Sequence, residues 1–414
     1  MDGHMWKRNF VTLWSGQFIS TAGLTVMVPL LPFYLGELGG QAHFQHGWMG
    51  LCLAAPAITM FIFSPIWGRI GDRIGRKMMV VRALMGLAFS LLLMGFAQTP
   101  WQLFLCRLLQ GAFGGVVDAS AAFASSEAPR GKNGKTLGSL HSATAAGSFV
   151  GPLLGGILAD FYGYRTLFMA MALLTGLSSC LAAWLLRESG GTPSTAQASR
   201  CDSIFTAFLS LVQMKETRVF ILAGICVQSG IYGLTVIFAP YVQSMAGDAN
   251  HAATWVGILQ AVTWLSTMVA SPWWGKQNDH KPVRMNFFVA ALGCGLSIWL
   301  QMLPPSAVWL IPLRMVQGLC FAALLPSVYF QVSRSSRHQD RGTNIGLTNS
   351  CLVGGQILGS LFGAGLTSVL PLPTVLFCMG SFFVLGACVV VINKPTGSGG
   401  SFHLSFFSRN DQVS

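Results

Sequence analysis

The chain has 414 residues, of which 52% are hydrophobic and only 9% charged, with a formal charge of +12. Soluble domains carry roughly 25% charged side chains, so most of this chain belongs in lipid. The positive charge is not the footprint of a nucleic-acid binder: of the 25 Lys and Arg, all but Arg107, Arg165 and Arg314 fall on loops of one side. That asymmetry places the basic loops and both termini in the cytoplasm.

A helix crosses a hydrocarbon core of roughly 30 Å with about 20 mostly apolar residues. Spans 1 to 12 are predicted at 10–35, 48–67, 79–97, 101–124, 137–161, 165–187, 218–245, 252–274, 285–303, 306–331, 345–369 and 371–393. The first stretch is too long for a signal-peptide core and follows Lys7 and Arg8, so it is read as an uncleaved span. The fold class expected is an all-α integral membrane protein. It comprises a six-helix bundle over 1–187, a linker over 188–217, a second bundle over 218–393 and a tail over 394–414. The linker is rich in Gly, Ser, Thr and Ala. Its Ile204, Phe205, Phe208, Leu209 and Val212 recur at helical spacing, as in a segment lying on the inner leaflet.

After span 2 comes Gly68-Arg69-Ile70-Gly71-Asp72-Arg73-Ile74-Gly75-Arg76-Lys77. The glycines permit a tight turn, Asp72 suits the positive N-terminal end of another helix, and the basic residues suit carboxylates or lipid phosphates. Span 4 carries Arg107, Gln110, Gly111, Gly114 and Asp118 within roughly 100° of one helical face. A charge at the bilayer centre costs at least about 2.5 kcal/mol, so such groups face a cavity or a partner. Asp118 is the acid placed well inside a span, and its second-half counterpart is Leu325. Desolvation disfavours an ionised carboxyl and an approaching cation favours it. Asp118 is therefore the candidate proton carrier, with Arg107 as its partner through water, although roughly 16 Å of helix separates their backbones. The alternative is a permanent hydrogen bond from Asp118 to a neighbouring helix. In span 5, Gly147, Gly151 and Gly155 form a small-residue stripe for close backbone approach, and Pro152 removes one helical hydrogen bond.

The second half repeats the first at a shift of about 207 residues. Ser64, Pro65, Trp67, Gly68 and Asp72 fall on Ser271, Pro272, Trp274, Gly275 and Asp279. Arg107, Gln110 and Gly111 fall on Arg314, Gln317 and Gly318, while Gly147, Gly151 and Gly155 meet Gly355, Gly359 and Gly363 one residue further on. Parallel repeats of this kind imply a pseudo-twofold axis along the membrane normal and a substrate site between the halves.

The spacing GxxxDRxGRK after span 2 resembles the signature loop of the major facilitator superfamily. Arg107, Gln110 and Gly111 resemble its LxxRxxQG motif, with Phe104 where the family usually has Leu. Gly138, Gly147, Gly151, Pro152, Gly155 and Gly156 match the span 5 motif that marks its proton-driven antiporters, and span 11 has Ser360 in place of the proline. The resemblance is closest to the twelve-span drug:proton antiporters. It implies a latch formed by Gly68, Asp72, Arg73, Gly75 and Arg76, with Asp72 facing the start of span 11 and Arg76 pairing with Glu127 at the end of span 4. The second copy of the loop keeps Gly275 and Asp279 but has Pro282 and Val283 in place of Gly75 and Arg76.

The resemblance also implies a cavity lined by spans 1, 4, 7 and 10, with Gln17, Thr21, Gln110, Gln228, Tyr232, Arg314 and Gln317 as substrate contacts. Each of these polar groups serves equally well as an interhelical hydrogen bond. Many exporters of cationic drugs carry an acid in span 1, and none lies between Gln17 and Val28, so neutral or anionic substrates are expected. The function implied is a proton-coupled antiporter that exports small organic molecules, as in multidrug efflux. The alternatives are a dedicated exporter of one metabolite, such as a siderophore or sugar, and a non-transporting receptor of the same fold. There is no nucleotide-binding GxxxxGK[ST] loop and no Cys/His spacing suited to a metal. No cofactor, metal site, enzyme activity or nucleic-acid partner is expected. The expected partners are a small molecule, protons and membrane lipid, for a monomer in a bacterial inner membrane.

Overall fold

The computed structural model describes residues 3–39, 42–127, 133–188, 209, 211, 213–245, 251–336 and 341–393. Most of the linker and the whole tail, 394–414, lie outside the described residues, as do the side chains of Gly68 and Asp72. All twelve spans are present. Spans 1 to 3 run over Gly3–Glu37, Ala42–Ile74 and Arg76–Phe96, and span 4 over Pro100–Ala112 and Val116–Glu127. Spans 5 to 8 are Asn133–Tyr162, Tyr164–Leu185, Lys215–Met245 and Ala252–His280. Spans 9 to 12 are Val283–Leu300, Leu310–Ser335, Arg341–Thr367 and Leu372–Ile392.

Two elements differ from the sequence expectation. The glycine-rich segment after span 2 is not a loop but a continuation of the helix to Ile74, closed by a Gly75 N–H bond to Gly71 O at 3.1 Å. Only Gly75, at φ 98°, turns the chain into span 3. A helical glycine costs about 1 kcal/mol, less than leaving a turn of backbone unpaired near lipid. Span 4, expected to be continuous, breaks at Phe113–Gly115, where Gly115 takes φ 97°. Two carbonyls at the break gain side-chain donors: Trp67 Nε1 bonds Ala112 O at 2.7 Å, and Arg82 Nη2 bonds Gly114 O at 3.1 Å. Arg82 thus satisfies backbone that the helix has released.

The repeat is visible contact by contact. Tyr34 Oη donates to Met94 O at 2.6 Å, and its mate Tyr241 Oη donates to Gln301 O at 2.7 Å. Trp67 Nε1 on Ala112 O is matched by Trp274 Nε1 on Leu319 O, both at 2.7 Å. Within the first half, span 5 lies against span 1 so closely that a Cβ on Gly147 or Gly151 would come within 2.6 Å of Phe18 O or Ala22 O. Gly355 of span 11 meets Ile225 O of span 7 in the same way, at 2.8 Å.

The same device joins the halves. A Cβ on Gly50 of span 2 would lie 2.8 Å from Ser360 O of span 11, and one on Gly257 of span 8 would collide with Pro152 O of span 5. Gly50 and Gly257 are repeat mates, as are Pro152 and Ser360, so two symmetric crossings hold the halves together. Both lie toward the end opposite the basic loops. Toward the basic loops, a Cβ on Gly138, Gly275 or Gly346 would meet nothing within 4 Å, and Leu137, Ile345 and Trp273 are exposed. The molecule is closed at one end and parted at the other.

Gly257→Leu should therefore force spans 5 and 8 apart, at a cost of about 1 to 3 kcal/mol. Thermal unfolding in detergent is expected to show a midpoint several degrees lower for Gly257→Leu, with no such loss for Gly275→Leu, whose added side chain enters open space.

Candidate functional site

A cavity of about 320 Å³ lies between the halves, lined by spans 1, 7, 8, 10 and 11. Its floor is chemically simple. Tyr232, Phe238, Trp264 and Phe321 form an aromatic wall, and Arg314 supplies a cation; no Asp or Glu is among the lining residues. Arg314 is 3% exposed. Its guanidinium carbon sits 3.4 Å from the centroid of the Phe238 ring, and Nη1 donates to Gln317 Oε1 at 3.0 Å. Gln301 Nε2 donates to the same oxygen at 2.9 Å, fixing Gln317.

Arg107, the repeat mate of Arg314, is held differently. Its Nη1 also bonds the glutamine one turn on, Gln110, but its Nε donates to Cys52 O of span 2 at 2.9 Å. Cys52 O is available because the residue four positions later is Pro56, which has no N–H to give it. The mate of Pro56 is Thr263. It keeps its backbone N–H for the helix, and its hydroxyl adds a second bond to Leu259 O at 3.0 Å. Arg314 Nε is accordingly buried without a hydrogen-bond partner among the described residues. One proline makes the first arginine structural and leaves the second with a donor to offer.

Of the residues singled out in the sequence, Gln228, Tyr232, Arg314 and Gln317 line this cavity. Tyr232 also lies within electrostatic reach of Arg107, across the two halves. Gln17, Thr21 and Gln110 do not line it. Gln17 is an interhelical tie, its Nε2 bonding Leu140 O at 3.1 Å and Thr144 Oγ1 at 2.7 Å on span 5. Thr21 is buried in the same crossing of spans 1 and 5, against Gly147. Gln260, Trp264 and Gln356 line the cavity from spans 8 and 11. The four-span expectation passed over them, although two are amides set in apolar helices.

Asp118 and Arg107 are not brought together. Asp118 is exposed to a second cavity of about 260 Å³ formed by spans 2, 3 and 4, whose cations are Arg76 and Arg82. The break in span 4 explains this, because Asp118 stands in the first turn of the segment after Gly115 and no longer follows the face that carries Arg107. Arg82 lies 3.9 Å over the Trp67 ring, and its Nε and Nη1 have no hydrogen-bond partner.

Of the latch residues, Arg73, Gly75 and Arg76 stand at the turn from span 2 into span 3. Arg76 Nη1 donates to Ala122 O at 2.8 Å, and the carboxylate at this turn is that of Glu188, which accepts from the backbone nitrogens of Arg76 and Lys77 at 3.1 and 3.4 Å. Glu127 is buried at the end of span 4. Arg73 is exposed. In the span 5 motif, Gly147, Gly151 and Gly155 face span 1, whereas Pro152 and Gly156 meet Gly257 and Ala253 of span 8. Gly138 faces open space.

Twelve apolar helices in two pseudo-twofold halves around a central polar-anchored cavity define a multi-pass membrane transporter. Known proteins agree. The family profile of the Major Facilitator Superfamily matches residues 13–248 and 220–404. The chain is 41% identical over 393 residues to the staphyloferrin B transporter of Staphylococcus aureus, covering 95% of this chain and 94% of that protein. It is 31% identical over 385 residues to multidrug resistance protein MdtG of Salmonella typhimurium, covering 92% and 93%. The crystal structure of nucleoside transporter NupG (D323A mutant) superposes with a TM-score of 0.79 at 14% identity, covering 93% of this chain and 99% of that one. The chain belongs to the major facilitator superfamily.

The contrast between the two arginines is measurable. Arg107→Met strands the Cys52 carbonyl, a loss of about 1 to 3 kcal/mol, whereas Arg314→Met strands no such group. Scanning fluorimetry in detergent should show a larger drop in unfolding temperature for Arg107→Met.

Proposed function

We propose that this protein exports a small anionic organic molecule by alternating access, coupled to proton entry. The observation that carries the reading is Arg314, a buried cation with an unpartnered Nε at a cavity whose lining holds no acid. An isolated cation in a site of low polarity favours a negative ligand group and penalises a positive one. A carboxylate suits the planar guanidinium, and the aromatic wall suits a flat or apolar ligand body. A dedicated exporter of a siderophore-type metabolite fits this chemistry, and the 41% identical staphyloferrin B transporter supports it. The second reading, multidrug efflux, draws on the same aromatic wall, which demands little geometric match, and on the MdtG relatives.

Asp118 is the proton carrier in this reading. It stands in a cavity separate from Arg314, so proton and substrate exclude one another through the conformational cycle and not by sharing a site. A proton moving down the membrane potential supplies roughly 2.3 kcal/mol per 100 mV, and no cofactor is needed. With the basic loops in the cytoplasm, the conformation described is the inward-open one.

Proton release from acid-loaded inverted vesicles is expected on adding carboxylate-bearing compounds, with weaker responses to neutral and cationic ones. Asp118→Asn should abolish it, and Arg314→Ala should reduce it at least about tenfold. Release driven best by cations, and indifferent to Arg314→Ala, would favour multidrug efflux.

A further inference from the structure

Asp160 drew no attention as sequence, yet it makes the one carboxylate contact between the halves among the described hydrogen bonds. It sits in the last turn of span 5, half-buried, at the closed end of the molecule. Its Oδ2 accepts from the backbone N of Thr254 at 2.8 Å and from Thr254 Oγ1. Thr254 lies in the first turn of span 8, whose own N-cap residue, His251, makes no side-chain capping bond. Asp160 therefore caps span 8 from the other half of the protein. A carboxylate is favoured there by the unpaired N–H groups and by the positive end of the helix dipole.

Along span 5 the contact lies about one helical turn beyond the Gly156–Ala253 approach and about two beyond the Pro152–Gly257 approach. Its repeat mates do not reproduce it. Ser368, just past the end of span 11, bonds Gly365 O, and Gly47 of span 2 has no side chain to offer. The symmetric crossings of spans 2·11 and 5·8 are thus alike in backbone packing and different in charge.

We propose that Asp160 is a proton-responsive latch: ionised, it holds the outer ends of spans 5 and 8 together, and protonated from the outer face, it releases them. The inference rests on the alternating-access reading above. Protonation, on the free Oδ1, removes the charge that the helix terminus favours and leaves Oδ2 a neutral carbonyl acceptor, so both bonds lose their charge assistance at once. The direction suits an exporter, in which a proton arriving from outside accompanies opening to that side. Around the pair, span 6 contributes Tyr164 and Arg165, span 1 contributes Tyr34 and Glu37, and span 8 contributes His251. Tyr164 lies within electrostatic reach of both Asp160 and Glu37, and Arg165 within reach of Tyr34 and Glu37.

The test is hydrogen–deuterium exchange of the full chain in lipid nanodiscs without substrate, read on peptides covering the first turns of span 8 and corrected for intrinsic exchange rates. Acidifying the buffer should speed exchange there in wild type. Asp160→Asn should exchange roughly tenfold faster than wild type at neutral pH and lose the acid response. Thr254→Val, which keeps the backbone bond and loses the hydroxyl, should fall between them and still respond to acid. Wild-type protection in Asp160→Asn, or an acid response that survives in it, would overturn the latch; should that variant not fold, an acid response absent from both wild type and Thr254→Val would do so. Proton–substrate exchange in vesicles is scored separately, so a chain that fails to transport but keeps this exchange pattern overturns the transport reading and leaves the latch standing.

Discussion

Everything in this molecule depends on how closely two helix backbones can approach in lipid. Between helices in a bilayer there is little hydrophobic gain, because lipid tails are as apolar as leucine. Contact must come from dispersion and from carbonyls facing small residues. Glycine against a carbonyl does this within each half, as at Gly151 on Ala22 O, and again between halves, as at Gly257 on Pro152 O. The intra-half contacts run along spans 1·5 and 7·11 and make each bundle a body. The inter-half contacts gather at one end, so the bodies close there and part at the other. The cavity is what remains between them.

On that symmetric scaffold the chemistry is one-sided. A proline at 56 and a threonine at 263 decide which of two equivalent arginines is tied to backbone and which keeps a donor for the cavity. Two glycines at 114 and 115 break span 4, whereas their mates Phe321 and Ala322 leave span 10 unbroken. The break turns Asp118 away from Arg107 and draws Arg82 onto the released Gly114 carbonyl. Duplication supplied a pair of equivalent positions, and a few substitutions that add or remove one backbone donor left them in different surroundings.

The division of labour fits a carrier in which charge movement and substrate capture occupy different places. No Asp or Glu lines the cavity of Arg314 among the described residues, and Asp118 lies in a cavity lined also by Arg76 and Arg82. The contact of Asp160 with span 8 adds a third charged point, at the closed end. Each is a polar group whose partners lie on another helix, so each reports the relative position of two elements.

The twelve spans, the duplication and the family were legible in the sequence, because hydropathy, loop charge and motif spacing are properties of the chain itself. So was the placing of Arg314 at a cavity, since a cation in an apolar span must find a cavity or a partner. The sequence did not show that Gln17 would bond span 5, that Glu188 would accept from the backbone at the turn into span 3, or that Asp118 and Arg107 would part. Those outcomes turn on which backbone group a side chain from another span reaches: Leu140 O for Gln17, the N–H groups of Arg76 and Lys77 for Glu188, and Cys52 O for Arg107. Periodicity fixes the face a residue takes on its own helix; only the packed bundle decides what stands opposite that face.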